Sequence, residues 1–171
     1  MSRVVLLVVT LLLLACSSPA PAPAAEEAPA ASEVAVEITE WQVPWEDTRP
    51  RDPYVGPQGR VWFVGQQGDY LAYLDPATGE FTRFDLEAGT GPHNLIVDDE
   101  GHVWYAGNRA AHRNRPQPNR FVGFDSHERE FLGITEIDSG GATVRHMFFD
   151  ERQREVWFGT DKNTIGRAKV P

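Results

Sequence analysis

The sequence predicts an all-β fold made of about three copies of one four-stranded antiparallel unit. Three observations predict it. Three segments align on a Val-Trp-aromatic step, Val61-Trp62-Phe63, Val103-Trp104-Tyr105 and Val156-Trp157-Phe158, each preceded by a short apolar stretch and a turn. A second pattern follows the first two: residues 70–81 turn at Asp75-Pro76-Ala77-Thr78-Gly79, and residues 119–131 turn at Asp125-Ser126-His127-Glu128. No stretch after residue 32 sustains a 3.6-residue apolar period, so helix is expected to be nearly absent.

The first element is an address. Arg3 precedes an apolar run over residues 4–15. That run is shorter than the roughly 20 apolar residues a membrane-spanning helix needs, and its charged start reads as an export signal. Leu13-Leu14-Ala15-Cys16 resembles a bacterial lipobox, in which Cys16 is lipidated and becomes the first mature residue. An ordinary signal peptide with an incidental cysteine is the alternative. Residues 16–32 are mostly Ala, Pro, Ser and Glu and hold no aromatic or branched apolar residue. They bury too little to offset ordering entropy and read as a tether. The expected organisation is therefore a signal over 1–15, a tether over 16–32 and one β-repeat domain over 33–171. The expected location is exported and lipid-anchored to the bacterial cell envelope.

Composition limits the partners. Lys and Arg number 16 against 25 Asp and Glu, a net charge of −9. That balance argues against a nucleic-acid backbone as partner. The single cysteine excludes an intrachain disulfide and a Cys-based zinc site.

Within the repeat domain, each Val-Trp-aromatic step is the second strand of a hairpin. Gly59 and Gly101 occupy equivalent turn positions. Asp-Pro-Ala-Thr-Gly is turn chemistry, with proline presetting φ and glycine taking positive φ. About 40 residues separate Trp62 from Trp104, the size of one β-propeller blade. The second interval, Trp104 to Trp157, is lengthened by residues 108–118, rich in Arg, Asn and Pro. The third unit ends after one strand past Trp157, over residues 164–169. Its missing fourth strand is expected from residues 34–41, which would close the exposed edge. The expectation is a partial β-propeller of three blades, the last completed by the N-terminal strand.

These units resemble the virginiamycin B lyase (streptogramin lyase) family of seven-bladed propellers. The resemblance rests on Gly91-Pro92-His93, Val103-Trp104-Tyr105, Ile165-Gly166-Arg167 and Asp75-Pro76-Ala77-Thr78-Gly79-Glu80. Relative to that family, several middle blades are expected to be absent, with the break at residues 108–118; a genuine small homologue is the alternative. The resemblance implies a carbon–oxygen lyase that opens an ester-linked ring with a channel histidine as base and Mg²⁺ held by acids. Arg51, His93 and His146 each stand eleven residues before their unit's tryptophan. In a propeller that column faces the central channel. By resemblance His146 or His93 is the catalytic base, and Arg51, Asp52 and Arg145 face the channel or a ligand. The family's metal-holding glutamate has no counterpart, because the matching positions are Gly91 and Val144. From the residues alone, the column could equally consist of polar groups bonding loop backbone, and no metal ligand set assembles. His102 and His127 are expected in exposed turns, and the three repeat tryptophans in blade cores.

Three functions remain open at this level. One is a shortened lyase-like protein with little or no turnover as a monomer. Another is a lipid-anchored binding protein without catalysis, taking a small molecule or an envelope protein. The third is a regucalcin-like lactone hydrolase. A homo-oligomer that completes the ring is a further expectation.

Overall fold

A computed structural model describes residues 36–108, 119–137 and 143–171. The chain divides into Met1–Ile38 and Thr39–Pro171, and the architecture described here belongs to the second unit. The proposed signal, Cys16, the tether and residues 109–118 lie outside the described residues.

Eleven strands form three antiparallel sheets. Sheet 1 contains β1 (Pro50–Val55), β2 (Val61–Gly65), β3 (Tyr70–Asp75) and β4 (Glu80–Asp85) in chain order. Sheet 2 contains β5 (Pro92–Val97), β6 (Val103–Gly107), β7 (Asn119–Asp125) and β8 (Glu130–Ile137). Sheet 3 contains β9 (Val144–Asp150), β10 (Glu155–Thr160) and β11 (Ile165–Lys169). No helix occurs among the described residues. All-β architecture with three blades is as the repeats predict.

The turns form for a shared reason. Asp75, Asp98, Asp125 and Asp150 each accept a backbone N–H from two residues on, the side-chain turn typical of aspartate. Gly59, Gly79 and Gly101 then supply φ of 76°, 76° and 90°. Where the repeat lacks glycine, Arg129 and Arg154 adopt φ of 60° and 52°.

Sheet 2 lies between the other two, with β5 against β1 and β2 on one side and β9 on the other. Trp62, Leu71 and Phe84 of sheet 1 pack with Leu95, Val97, Tyr105 and Phe124 of sheet 2. Ile96, Trp104 and Phe121 pack on the other side against Phe149, Val156 and Val170. Successive residues of β5 thus serve different interfaces, so both its faces are buried, as period-2 geometry requires. Gly123 is needed here: a Cβ at that position would strike the indole of Trp104.

The repeat tryptophans share one direction. Trp62 faces the second sheet and Trp104 the third, and they are 1% and 6% exposed. Among the described residues no sheet follows the third, and Trp157 is 40% exposed. Only two of the three are therefore core residues.

One expectation is corrected. Residues 36–41 form no strand, and sheet 3 has three strands among the described residues; Val34 and Ala35 lie outside them. The chain just beyond packs elsewhere. Val43 and Trp45 lie against Phe63, Tyr70 and Phe81 on the outer face of sheet 1. Trp45 meets Tyr70 edge-on at 5.1 Å, and Thr48 Oγ1 pairs with the Tyr70 hydroxyl at 2.8 Å. Partial burial of that indole beside Tyr70 and Phe81 stabilises this placement, so residues 43–48 cover the first blade, and residues 36–41 do not complete the last.

Candidate functional site

The first strand of every blade is interrupted at the same place. On β1 the register shifts between Arg51 and Tyr54, on β5 between Pro92 and Asn94, and on β9 within residues 144–147. Each shift places one extra residue on the inner strand, which is a β-bulge. The bulge sits on the column expected from the sequence, and it turns those side chains away from the intersheet cores.

Four of the five expected site residues meet across the three blades. Arg145 donates from Nη1 to His93 Nε2 at 3.3 Å. Nδ1 of His93 then faces Asp52 Oδ2 at 3.9 Å, and Asp52 Oδ2 lies 3.7 Å from Arg51 Nε. Arg51 also donates to Gln66 Oε1 at 3.1 Å, and Arg145 reaches Asp161 at 3.5 Å. His146 belongs to the same strand as Arg145 but is exposed. Asp52 adopts φ of 49°, a left-handed conformation that aspartate tolerates.

The electrostatics fix the state of His93. The ring is 4% exposed. Burial first, then the charges of Arg51, Arg145, Arg49 and His146, lower its pKa from 6.5 to about 4. At neutral pH it is uncharged. Because a guanidinium only donates, Nε2 must accept and the imidazole proton sits on Nδ1, toward Asp52. At 3.9 Å that proton makes no hydrogen bond, so Nδ1 and Asp52 Oδ2 are both buried without a hydrogen-bond partner.

The arrangement does not fit Mg²⁺. Asp52 is the one carboxylate that faces His93, and two guanidiniums flank it. A hard divalent cation needs several oxygen ligands, and no group of three or more potential ligand residues occurs among the described residues. Gly91 and Val144, in place of the family's glutamate, add none.

Sequence reasoning missed several participants. Asn94, directly after the bulge, is buried and donates its amide to the Arg145 carbonyl. Gln66 and Asp161 hold the arginines, and nothing in the repeat pattern marks them. His102 is only partly exposed, because Asp98 draws it in: Asp98 accepts from the Trp104 indole at 2.9 Å, from the backbone of Glu100 and His102, and faces His102 Nδ1. The Asp98-to-Gly101 turn is the signal that could have found this. His127 is exposed, as expected.

No protein-family model matches the sequence, and no curated protein matches it. Solved structures do resemble the fold. A virginiamycin B lyase from Staphylococcus aureus is similar with a TM-score of 0.56 at 16% identity, over 79% of this chain and 46% of that one. A streptogramin B lyase gives 0.53 at 20% identity, over 78% and 44%. Hydrazine synthase of Kuenenia stuttgartiensis gives 0.52 at 11% identity, over 72% and 32%. The chain spans less than half the length of each. At such identities the likeness is one of fold, the β-propeller, and is not specific to one family.

Proposed function

We propose that the protein is an exported, lipid-anchored binding protein whose inner-strand cluster takes a small anionic ligand, a carboxylate or a phosphate, between Arg51 and Arg145. The observation that carries this reading is the pair of guanidiniums beside an imidazole that burial first, and then their charge, keeps neutral. In a chain of net charge −9, the three arginines Arg49, Arg51 and Arg145 around His93 outnumber the acids Asp52 and Asp161 beside them, and such a local excess attracts anions. Arginine presents a planar fork suited to both ligand types. The unpaired Nδ1–H of His93 offers a further donor.

A general base needs an available lone pair and a pKa near the working pH. His93 has neither, since Nε2 receives Arg145 and its pKa is about 4. A lactone hydrolase of the regucalcin kind would need an acid-rich metal site, which Asp52 alone does not supply. The exposure of His146 favours one second reading, a carbon–oxygen lyase acting on a cyclic ester, like the proteins of similar fold.

Calorimetric titration with inorganic phosphate and small mono- and dicarboxylates tests the first reading. Saturable binding is expected. Arg145→Gln and Arg51→Gln should each weaken it by about 10- to 100-fold, the value of one charge-assisted hydrogen bond. No binding, or binding indifferent to both substitutions, refutes it. Opening of a streptogramin B ring that disappears in His146→Ala would establish the lyase reading instead.

A further inference from the structure

The first two blades carry the same side-chain frame, and only the first is filled. On sheet 1 the Trp45 indole sits edge-on against Tyr70 and Phe81 at 5.1 and 6.1 Å, with the Arg83 guanidinium 5.3 Å above it. Strand register gives each of these a counterpart on sheet 2. Tyr70 pairs with Gly65 as Arg120 pairs with Gly107, and Leu74 with Phe81 as Phe124 with Phe131. Ala72 pairs with Arg83 as Val122 pairs with Ile134. The approach to each first strand matches as well: Thr48 Oγ1 donates to the Trp45 carbonyl, and Thr90 Oγ1 to the Glu87 carbonyl.

Glu87 therefore stands where Trp45 stands in the first blade, and among the described residues no ring takes the indole's place. A cavity of about 150 Å³ is left there, walled by Tyr105, Arg120, Val122, Phe131 and Ile134. Asp85 and Glu87, both exposed, form its rim. An apolar cavity of about that size holds a benzene ring. Tyr105 and Phe131 offer an entering ring the kind of aromatic contact that Tyr70 and Phe81 offer Trp45. Phe131 and Ile134 are each more than half exposed, so a ring seated against them would remove apolar surface from water.

Arg120 gives the cavity its polarity. It replaces Tyr70, whose hydroxyl is satisfied by Thr48 at 2.8 Å. Nε of Arg120 is buried and has no hydrogen-bond partner. Asp85 is held instead by Arg83 at 2.7 Å, and Glu136, opposite Arg120 on β8, makes no ion pair with it. A buried donor left unpaired on a charged group costs stability. A carboxylate satisfies a guanidinium with two parallel bonds.

We infer that this cavity is a second binding site, for a small aromatic monocarboxylate: the ring takes the place that the Trp45 indole takes in the first blade, and the carboxylate accepts from Arg120. Asp85 and Glu87 at the rim repel a second negative charge, so a dicarboxylate is disfavoured. The site shares no residue with the Arg51–Arg145 cluster, and the inference stands apart from the anion-binding reading made there.

The test is fluorine NMR titration of the full chain, with Cys16→Ser and in detergent, against 4-fluorobenzoate, with protein-free micelles as the blank. Saturable binding is expected. Arg120→Gln should weaken it by about 10- to 100-fold, the value of one charge-assisted hydrogen bond. The neutral 4-fluorobenzamide and the dicarboxylate fluoroterephthalate should each bind more weakly than 4-fluorobenzoate. Glu87→Trp restores the residue of the first blade and should abolish binding while leaving the β-sheet circular dichroism unchanged. Ile134→Trp, at an exposed position, should block the same cavity and keeps the test decisive should Glu87→Trp not fold. Arg145→Gln should change nothing. Absence of saturable binding overturns the proposal. So does binding that survives both tryptophan variants, equal affinity for the benzamide, or a loss in Arg145→Gln that Arg120→Gln does not show.

Discussion

Lowering the pH should destabilise the fold through His93, and the size of the loss follows from the site. The folded pKa is about 4 and the unfolded value 6.5. Above the unfolded value neither state binds the proton, and His93 costs nothing. Below it the unfolded chain takes up a proton that the folded chain refuses, so stability falls as pH drops from 6.5 toward 4 and levels off beneath. Linkage gives a loss of about 2 kcal/mol at pH 5 and about 3 kcal/mol at pH 4. Arg49 and Arg51, Arg145 and His146 of β9 all oppose the charged ring, and Asp52, 3.9 Å away, is the one facing group that favours it. Asp125 and Asp161, whose pKa values are lowered by backbone N–H donors from Glu128 and Thr143, act in a lower window, since their stabilising effect is lost as pH falls below the ordinary carboxylate range. The assay is urea unfolding of wild type and His93→Gln at pH 7.5 and pH 5. Glutamine accepts from Arg145 but does not titrate. Wild type should lose about 2 kcal/mol more than the variant between the two pH values. Equal losses would refute the assignment of a depressed pKa to His93.

Two other outcomes follow. Asp98→Ala removes the acceptor of the Trp104 indole and two backbone donors while leaving them buried, and should cost about 3 kcal/mol in chemical unfolding, with Asp98→Asn milder. Cys16→Ser should release the protein from the membrane fraction or block its maturation; unchanged partitioning with membranes would count against lipidation.

The blade count, the hairpins and the column were legible in the sequence because each is a local, repeated signal. Val-Trp-aromatic steps fix strand parity, and aspartate or glycine fixes the turns. Residues 36–41 were misread because alternation specifies a strand without naming its partner. What decided their fate was Trp45, an isolated indole that bonds to no repeat and finds Tyr70 and Phe81 only in three dimensions. The site was legible in membership but not in chemistry. Spacing placed His93 on the inner strand, whereas its neutrality depends first on burial that no pattern reports, then on Arg51 and on Arg145, which lies 52 residues away in sequence. Trp157 looked like its two counterparts because sequence shows a residue's direction and not whether anything stands in front of it.

The bulge repeated on β1, β5 and β9 separates two jobs within each strand. After the extra residue, alternation serves packing: Leu95, Ile96 and Val97 fill cores on both sides. At the extra residue, the side chains of Arg51, Arg145 and His146 touch no hydrophobic core cluster. Substitution of these three leaves the apolar contacts between the sheets in place, so the inner edge can change while the scaffold keeps its stability. The first and third blades are in that sense fixed frames whose inner-edge side chains are exchangeable, so the chemistry of that edge varies independently of how the frames fold.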